Sequence, residues 1–381
     1  RASKFSRSLQ LRICAERGSS ASLHCELRRQ RLLGLVMGCG ASKEGGGGDK
    51  YELEMIGSHP QNVLPAFCAA NAHLRKVNVS SCELRVLPAA INFLVALEEL
   101  DCSQNKLEAL PNEIGDCVNL KTLDCNDNQL ATLPDTLGKC KNLAQLIAYK
   151  NALGALPAAL GELKELNELN CFNNKLLKLP PTLGGMAGLE EVNLAANKVM
   201  QLPKESVAEW TGVKVFNVYD CRLVRLAPLA HMVQLTELRL FGNNLEDMPD
   251  CGGGLPALRL LELHRNRIAA IPAGFFSKMT SLRRLTISSN KLAAVPADIG
   301  ACPLESLLLD GNELTSIPSE VATIPTLTVL FVQENQITAL PDSFLQNSSL
   351  KRVNLAKNPI AGCESHIKHL KATCTDAFWE P

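Results

Sequence analysis

Residues 97–111 read Leu97-Glu98-Glu99-Leu100-Asp101-Cys102-Ser103-Gln104-Asn105-Lys106-Leu107-Glu108-Ala109-Leu110-Pro111, and residues 120–134 repeat the pattern as Leu120-Lys121-Thr122-Leu123-Asp124-Cys125-Asn126-Asp127-Asn128-Gln129-Leu130-Ala131-Thr132-Leu133-Pro134. The shared frame is L-x-x-L-x-L-x-x-N-x-L-x-x-L-P, with Cys in the sixth slot of these two copies. Carried along the chain, its ninth position falls at Cys82, Asn105, Asn128, Asn151, Asn174, Asn197, Cys221, Asn243, Asn266, Asn290, Asn312, Asn335 and Asn358. That makes thirteen repeats with a mean step of 23 residues, a register that chance does not produce. Compensating steps of 24 and 22 residues surround Cys221 and Asn290, and a half repeat from Leu64-Pro65 to His73 precedes the first full one.

Each slot has a physical cause. The L-x-x-L-x-L segment, as in Leu97, Leu100 and Cys102, turns alternate side chains inward from a short strand, and strands of successive turns stack in parallel at about 4.8 Å. The ninth-position Asn belongs at the bend after the strand, where its amide and carbonyl satisfy main-chain groups that the ladder cannot reach. Leu-Pro then closes the bend, with Pro111, Pro134, Pro157, Pro180 and Pro203 fixing φ and blocking strand extension. A short convex segment, helical or extended, follows. The expected fold is an α/β solenoid, a horseshoe of about thirteen repeats with a parallel concave sheet.

These residues resemble the leucine-rich repeat family. The period, the Leu-Pro and the Ile-Gly of Ile114-Gly115 and Ile299-Gly300 are most similar to its intracellular, Ras-group members. The resemblance spans about residues 64–375 and implies an adaptor, in a class that includes scaffolds bridging small GTPases and phosphatase catalytic subunits.

Outside the repeats the composition changes. Residues 1–36 hold seven Arg, one Lys and six Ser against two acids, a bias like that of a transit peptide. The first methionine is Met37, and Met37-Gly38-Cys39-Gly40-Ala41-Ser42 fits an acylation pattern in which Gly38 takes a myristoyl chain and Cys39 a palmitoyl chain. Translation is therefore expected to start at Met37, leaving 1–36 as an upstream or transit-like, disordered extension. The remaining divisions are an acylated flexible tether at 37–50, an N-terminal cap and half repeat at 51–73, the repeats at 74–360, and a C-terminal helical cap and tail at 361–381. Two acyl signals are what stable anchoring needs, which predicts a peripheral protein on the inner face of a membrane.

The whole chain of 381 residues carries 39 basic and 39 acidic residues, so no global field draws it to nucleic acid. No apolar run reaches the roughly 18 residues of a membrane span. Several of the fifteen cysteines occupy apolar slots (Cys102, Cys125 and Cys171 in the sixth position), so they read as small buried hydrophobes of an intracellular protein. Cys363, His366, His369 and Cys374 have a zinc-like look. A helix would hold Cys363 and Cys374 about 16 Å apart, too far to share one ion, so Ile367 and Leu370 are read as the apolar side of an edge cap. Neither a metal, a cofactor nor a catalytic constellation is expected.

Function then falls on the exposed strand positions. The seventh position reads Ser80, Ser103, Asn126, Tyr149, Phe172, Ala195, Tyr219, Phe241, His264, Ser288, Asp310, Gln333 and Ala356. Four of these are aromatic, whereas thirteen positions drawn at random from a chain with 16 aromatics in 381 residues would hold fewer than one. Tyr149, Phe172, Tyr219 and Phe241, with His264 beside them and Glu237, Arg239, Glu262 and Arg265 as a charged rim, are the expected partner-binding surface. The competing reading is that the rings pack on one another and stiffen the sheet. The corresponding functional alternative to a membrane-tethered adaptor is a soluble regulatory subunit or inhibitor of an enzyme such as a phosphatase or small GTPase.

Overall fold

The computed structural model describes residues 52–54, 68–252 and 254–379. The extension 1–36, the tether with Gly38 and Cys39, and Leu64-Pro65 lie outside the described residues. Fifteen three-residue strands form one parallel sheet in strict sequence order. It starts at β1 (Glu52–Glu54) and β2 (Lys76–Asn78) and ends at β14 (Arg352–Asn354) and β15 (Asp376–Phe378). Pairing is position for position: Leu100 lies beside Leu123, Leu146 beside Leu169, and Leu238 beside Leu261.

The middle residue of every strand from β2 to β14 is buried, and the flanking two point to the open side. A continuous apolar core runs behind the sheet as a result, with Leu97, Leu100 and Cys102 almost wholly enclosed. Removing one such leucine side chain, for example Leu169→Ala, should cost about 2–5 kcal/mol.

In most repeats the convex side is a short helical turn that begins after the repeat's proline, whereas the described residues between Glu209 and Ala297 contain none. Pro111, Pro134 and Pro157 sit at φ −68°, −71° and −64° ahead of 3-10 turns at Asn112–Asp116, Asp135–Lys139 and Ala158–Glu162. The 24-residue step to Cys221 holds an α-helical turn at Lys204–Glu209, followed by Trp210, whose Nε1 donates to Leu183 O at 3.1 Å and whose ring meets Phe216 edge-on. Gly161 shows why glycine fills its slot: a Cβ there would lie 2.0 Å from Thr182 O in the next turn.

The sheet runs one strand further at each end than the thirteen repeats. At the C-terminus the helix Glu364–Thr373 is not the edge; it is the convex element of a further turn that delivers β15 against β14. Its buried face is Cys363, His366 and Leu370, with Ile367 only half covered. Cys363 Sγ accepts from Leu340 N at 3.4 Å and His369 Nε2 meets Asn347 O at 2.8 Å, so these two of the zinc-like residues engage different neighbours. At the N-terminus β1 pairs with β2 in the same register as the rest.

Candidate protein-binding surface on the concave sheet

The asparagine ladder sets the edge from which the surface projects. Asn174 donates from Nδ2 to Ala148 O at 3.0 Å and Cys171 O at 3.1 Å, while its Oδ1 accepts Leu153 N at 3.0 Å. Asn105, Asn128, Asn151, Asn197, Asn243, Asn266, Asn290, Asn312, Asn335 and Asn358 repeat this bonding. Asn151 is half-buried where the others are buried, because Ala131 and Ala152 are too small to cover it and leave a shallow depression. At Cys221 a thiol replaces the amide and donates to Leu194 O at 3.4 Å.

Just before the ladder, position eight is left-handed in all thirteen repeats, from Ser81 at φ 55° through Ala196 at 53° to Lys357 at 56°. This bend lifts the seventh side chain onto the concave side. Position-five Asx side chains secure it in several repeats: Asp101 Oδ1 accepts both Ser103 N and Oγ, and Asn170 Oδ1 accepts Phe172 N at 3.3 Å.

Four of the expected aromatic-column residues form one run. Phe172 and Tyr219 approach to 6.1 Å between centroids across the small, buried Ala195, Tyr219 stacks on Phe241 at 4.3 Å, and Phe241 stacks on His264 at 4.4 Å. All four are half-buried: the rings pack on one another and still present faces or edges to solvent. The ring packing that the competing reading expects is present. Tyr149 stands apart, with Lys150 Nζ 5.9 Å from its ring and no ring contact to Phe172 among the described residues.

The expected rim is internally paired. Arg239 bridges Glu237 at 2.7 Å and Glu262 at 3.3 Å and also donates to Asn217 Oδ1 at 3.1 Å. Arg265, in its left-handed turn, is exposed. Burial holds the His264 imidazole below its ordinary value against the opposing pull of Glu262, and His264 Nδ1 is enclosed without a hydrogen-bond partner among the described residues. A neutral, stacked imidazole with an unmet ring nitrogen suits a contact residue better than a general base.

Reading only the seventh position missed two neighbouring groups. Toward the N-terminus, Asp101 and Asp124 lie side by side in the sheet, and burial together with Asp101 pushes the Asp124 carboxyl up. Toward the C-terminus, Leu308, Val329 and Phe331 give a half-buried apolar patch, with Arg352 lying 5.4 Å over the Phe331 ring. The same alignment at positions three and five contains both signals.

Leucine-rich-repeat family models match residues 249–299 and 302–360, and a second such model matches 119–140. The fold is the α/β solenoid of leucine-rich repeats. No curated protein sequence matches it. Among solved structures, a leucine-rich-repeat protein of Leptospira interrogans is 28% identical over 86% of this chain and 89% of its own, with TM-score 0.69. The plant peptide hormone receptor RGFR1, in complex with RGF2, is 29% identical over 76% of this chain with TM-score 0.66. The Arabidopsis receptor kinase HAESA, in complex with the peptide hormone IDA and the co-receptor SERK1, is 28% identical over 78% with TM-score 0.65. The chain spans only 52% and 53% of those two receptor chains. Leucine-rich-repeat proteins commonly serve as protein-binding scaffolds or receptors. No helix among its described residues is long and apolar enough to cross a membrane.

Proposed function

We propose that the protein is a non-catalytic adaptor that captures a protein partner on its concave sheet and is held at the cytoplasmic face of a membrane by acyl chains on Gly38 and Cys39. The observation that carries the binding half is the half-exposed run Phe172, Tyr219, Phe241 and His264. Large rings already packed on their neighbours lose little side-chain entropy when a partner covers them, which is the physical requirement for a hot spot. RGFR1 and HAESA, each solved with a peptide hormone, support the same use of this scaffold. A small GTPase or a phosphatase catalytic subunit is the partner class implied by the likeness of the repeats to the Ras group.

The test is affinity capture from lysate followed by titration with the purified partner. Phe172→Ala and Tyr219→Ala should each weaken binding about thirtyfold, near 2 kcal/mol, while Lys164→Ala on the convex side leaves it intact. If the ring variants unfold and their folded fraction binds normally, the column is packing alone and the partner sits elsewhere.

A further inference from the structure

Beyond the ladder, positions ten to thirteen of each repeat form the flank where the chain leaves the sheet for the convex side. Position twelve there is small or polar in most repeats, as at Arg85, Glu108, Ala131, Glu246 and Thr315. In repeats five, six and seven it is Leu177, Met200 and Val224, which are 62%, 60% and 40% exposed. Val224 N donates to Met200 O at 3.4 Å and Lys198 N to Leu176 O at 2.9 Å, so the three belong to directly stacked turns and form a continuous row.

Cations border this row on both sides. Position ten supplies Lys175, Lys198 and Arg222, and position thirteen supplies Lys178 and Arg225, all exposed. None of the five forms an ion pair among the described residues. Elsewhere Lys121, Lys214 and Lys357 each reach an acid one turn away at Glu98, Glu190 and Glu334. Positions ten to thirteen of repeats five to seven contain no acid, although Asp220 and Glu205 lie close in sequence and Glu246 and Asp247 occupy positions twelve and thirteen of the next repeat. The chain from Met37 onward holds 31 basic and 37 acidic residues, so this positive flank runs against the overall balance.

We infer that the flank is a membrane-contacting surface: its three aliphatic tips enter the interface of an anionic bilayer while the five cations meet phosphate and carboxylate headgroups. Composition favours a bilayer over a protein. Protein interfaces enrich aromatics and deplete lysine, whereas this row has no aromatic and three lysines. Aliphatic tips ringed by flexible lysine and arginine stems are how interfacial segments hold an anionic surface, apolar burial and charge attraction acting together. The stems reach outward while the aliphatic row stays central. This surface is separate from the aromatic column, so it does not depend on concave binding, and it acts without any acyl chain.

The experiment uses the full chain carrying Gly38→Ala, which removes the acylation site, and vesicles of phosphatidylcholine with or without about 30% phosphatidylserine. Co-sedimentation should occur with the anionic vesicles, fall steeply with added salt, and be weak with the neutral ones. The pair Lys198→Glu and Arg222→Glu should reduce partitioning about thirtyfold or more. Leu177→Ser with Met200→Ser should reduce it at unchanged charge, which a purely electrostatic cloud would not. Lys204→Glu, a reversal on the convex side, should have little effect, and thermal midpoints of all variants confirm that the fold is intact. Absence of binding to anionic vesicles, equal binding by the flank variants, or an equal loss in Lys204→Glu overturns the inference. Loss of an acidic protein partner in the flank variants, with vesicle binding unchanged, assigns the surface to a protein and overturns it as well.

Discussion

At the scale of single residues, the amide at position nine does the most structural work per atom. Asn174 ties its own strand end to the previous turn through two donors and one acceptor, all buried. Asn174→Ala leaves Ala148 O, Cys171 O and Leu153 N without this partner, and a loss of about 1–3 kcal/mol in chemical denaturation is expected. An unchanged midpoint would contradict the register. His264 adds a pH dependence with a definite sign. In the unfolded chain its ring titrates near about 6.5, and in the fold burial holds it lower. Between those values the unfolded state binds more protons, so stability falls as pH drops through about 6.5. His264→Asn should remove part of that slope, read as a smaller difference between denaturation midpoints at neutral and mildly acidic pH. The cysteines behave oppositely to reactive thiols. Burial pushes Cys171 up to about 12 and holds Cys102 and Cys125 well above the ordinary thiol value, so these sulfurs are packing atoms.

At the scale of elements, one turn fits the next by close backbone approach on the convex side. Gly161→Ala would put a methyl 2.0 Å from Thr182 O, and the two turns must separate to admit it. Gly154→Ala, where a Cβ meets nothing within 4 Å, is the matched control. The first should destabilise by about 1–3 kcal/mol and the second should be neutral or slightly stabilising, measured by denaturant midpoints. The repeats were legible because every slot has its own cause: an inward leucine, a bonding asparagine, a proline that stops the strand. The two outer strands were not, since Asp376-Ala377-Phe378 borrows its register from β14 and carries none of the pattern itself. The left-handed bend at position eight was equally hidden, because Gln104, Lys150 and Glu334 are residue types with no taste for that region. The same bend at Ser81 and Asp220, beside Cys82 and Cys221, belongs to the repeat backbone and not to the ladder amide. The candidate surface was half legible: spacing gives the column, but not that Ala195 lets Phe172 lean toward Tyr219 or that Tyr149 stays outside the run.

At the scale of the whole molecule, the proposed anchor and the proposed flank are additive in free energy and multiply in affinity. One myristoyl chain on Gly38 gives only marginal, reversible binding, and a palmitoyl chain on Cys39 would raise it to stable anchoring. The flank cations would supply a third, weaker contribution that salt screens. Expressed from Met37 in cells and fractionated, the Gly38→Ala chain should therefore appear in the soluble pool, because the flank by itself is too weak at cellular lipid and salt levels. Cys39→Ser should leave a partial membrane pool that high salt strips away. Adding Lys198→Glu and Arg222→Glu to Cys39→Ser should empty that pool, while the same pair in the doubly acylated chain should change little because two acyl chains already suffice. A Gly38→Ala chain that fractionates like the parent contradicts the anchor alone. A Cys39→Ser pool indifferent to both salt and the flank pair contradicts the flank alone, so the two proposals stand or fall separately.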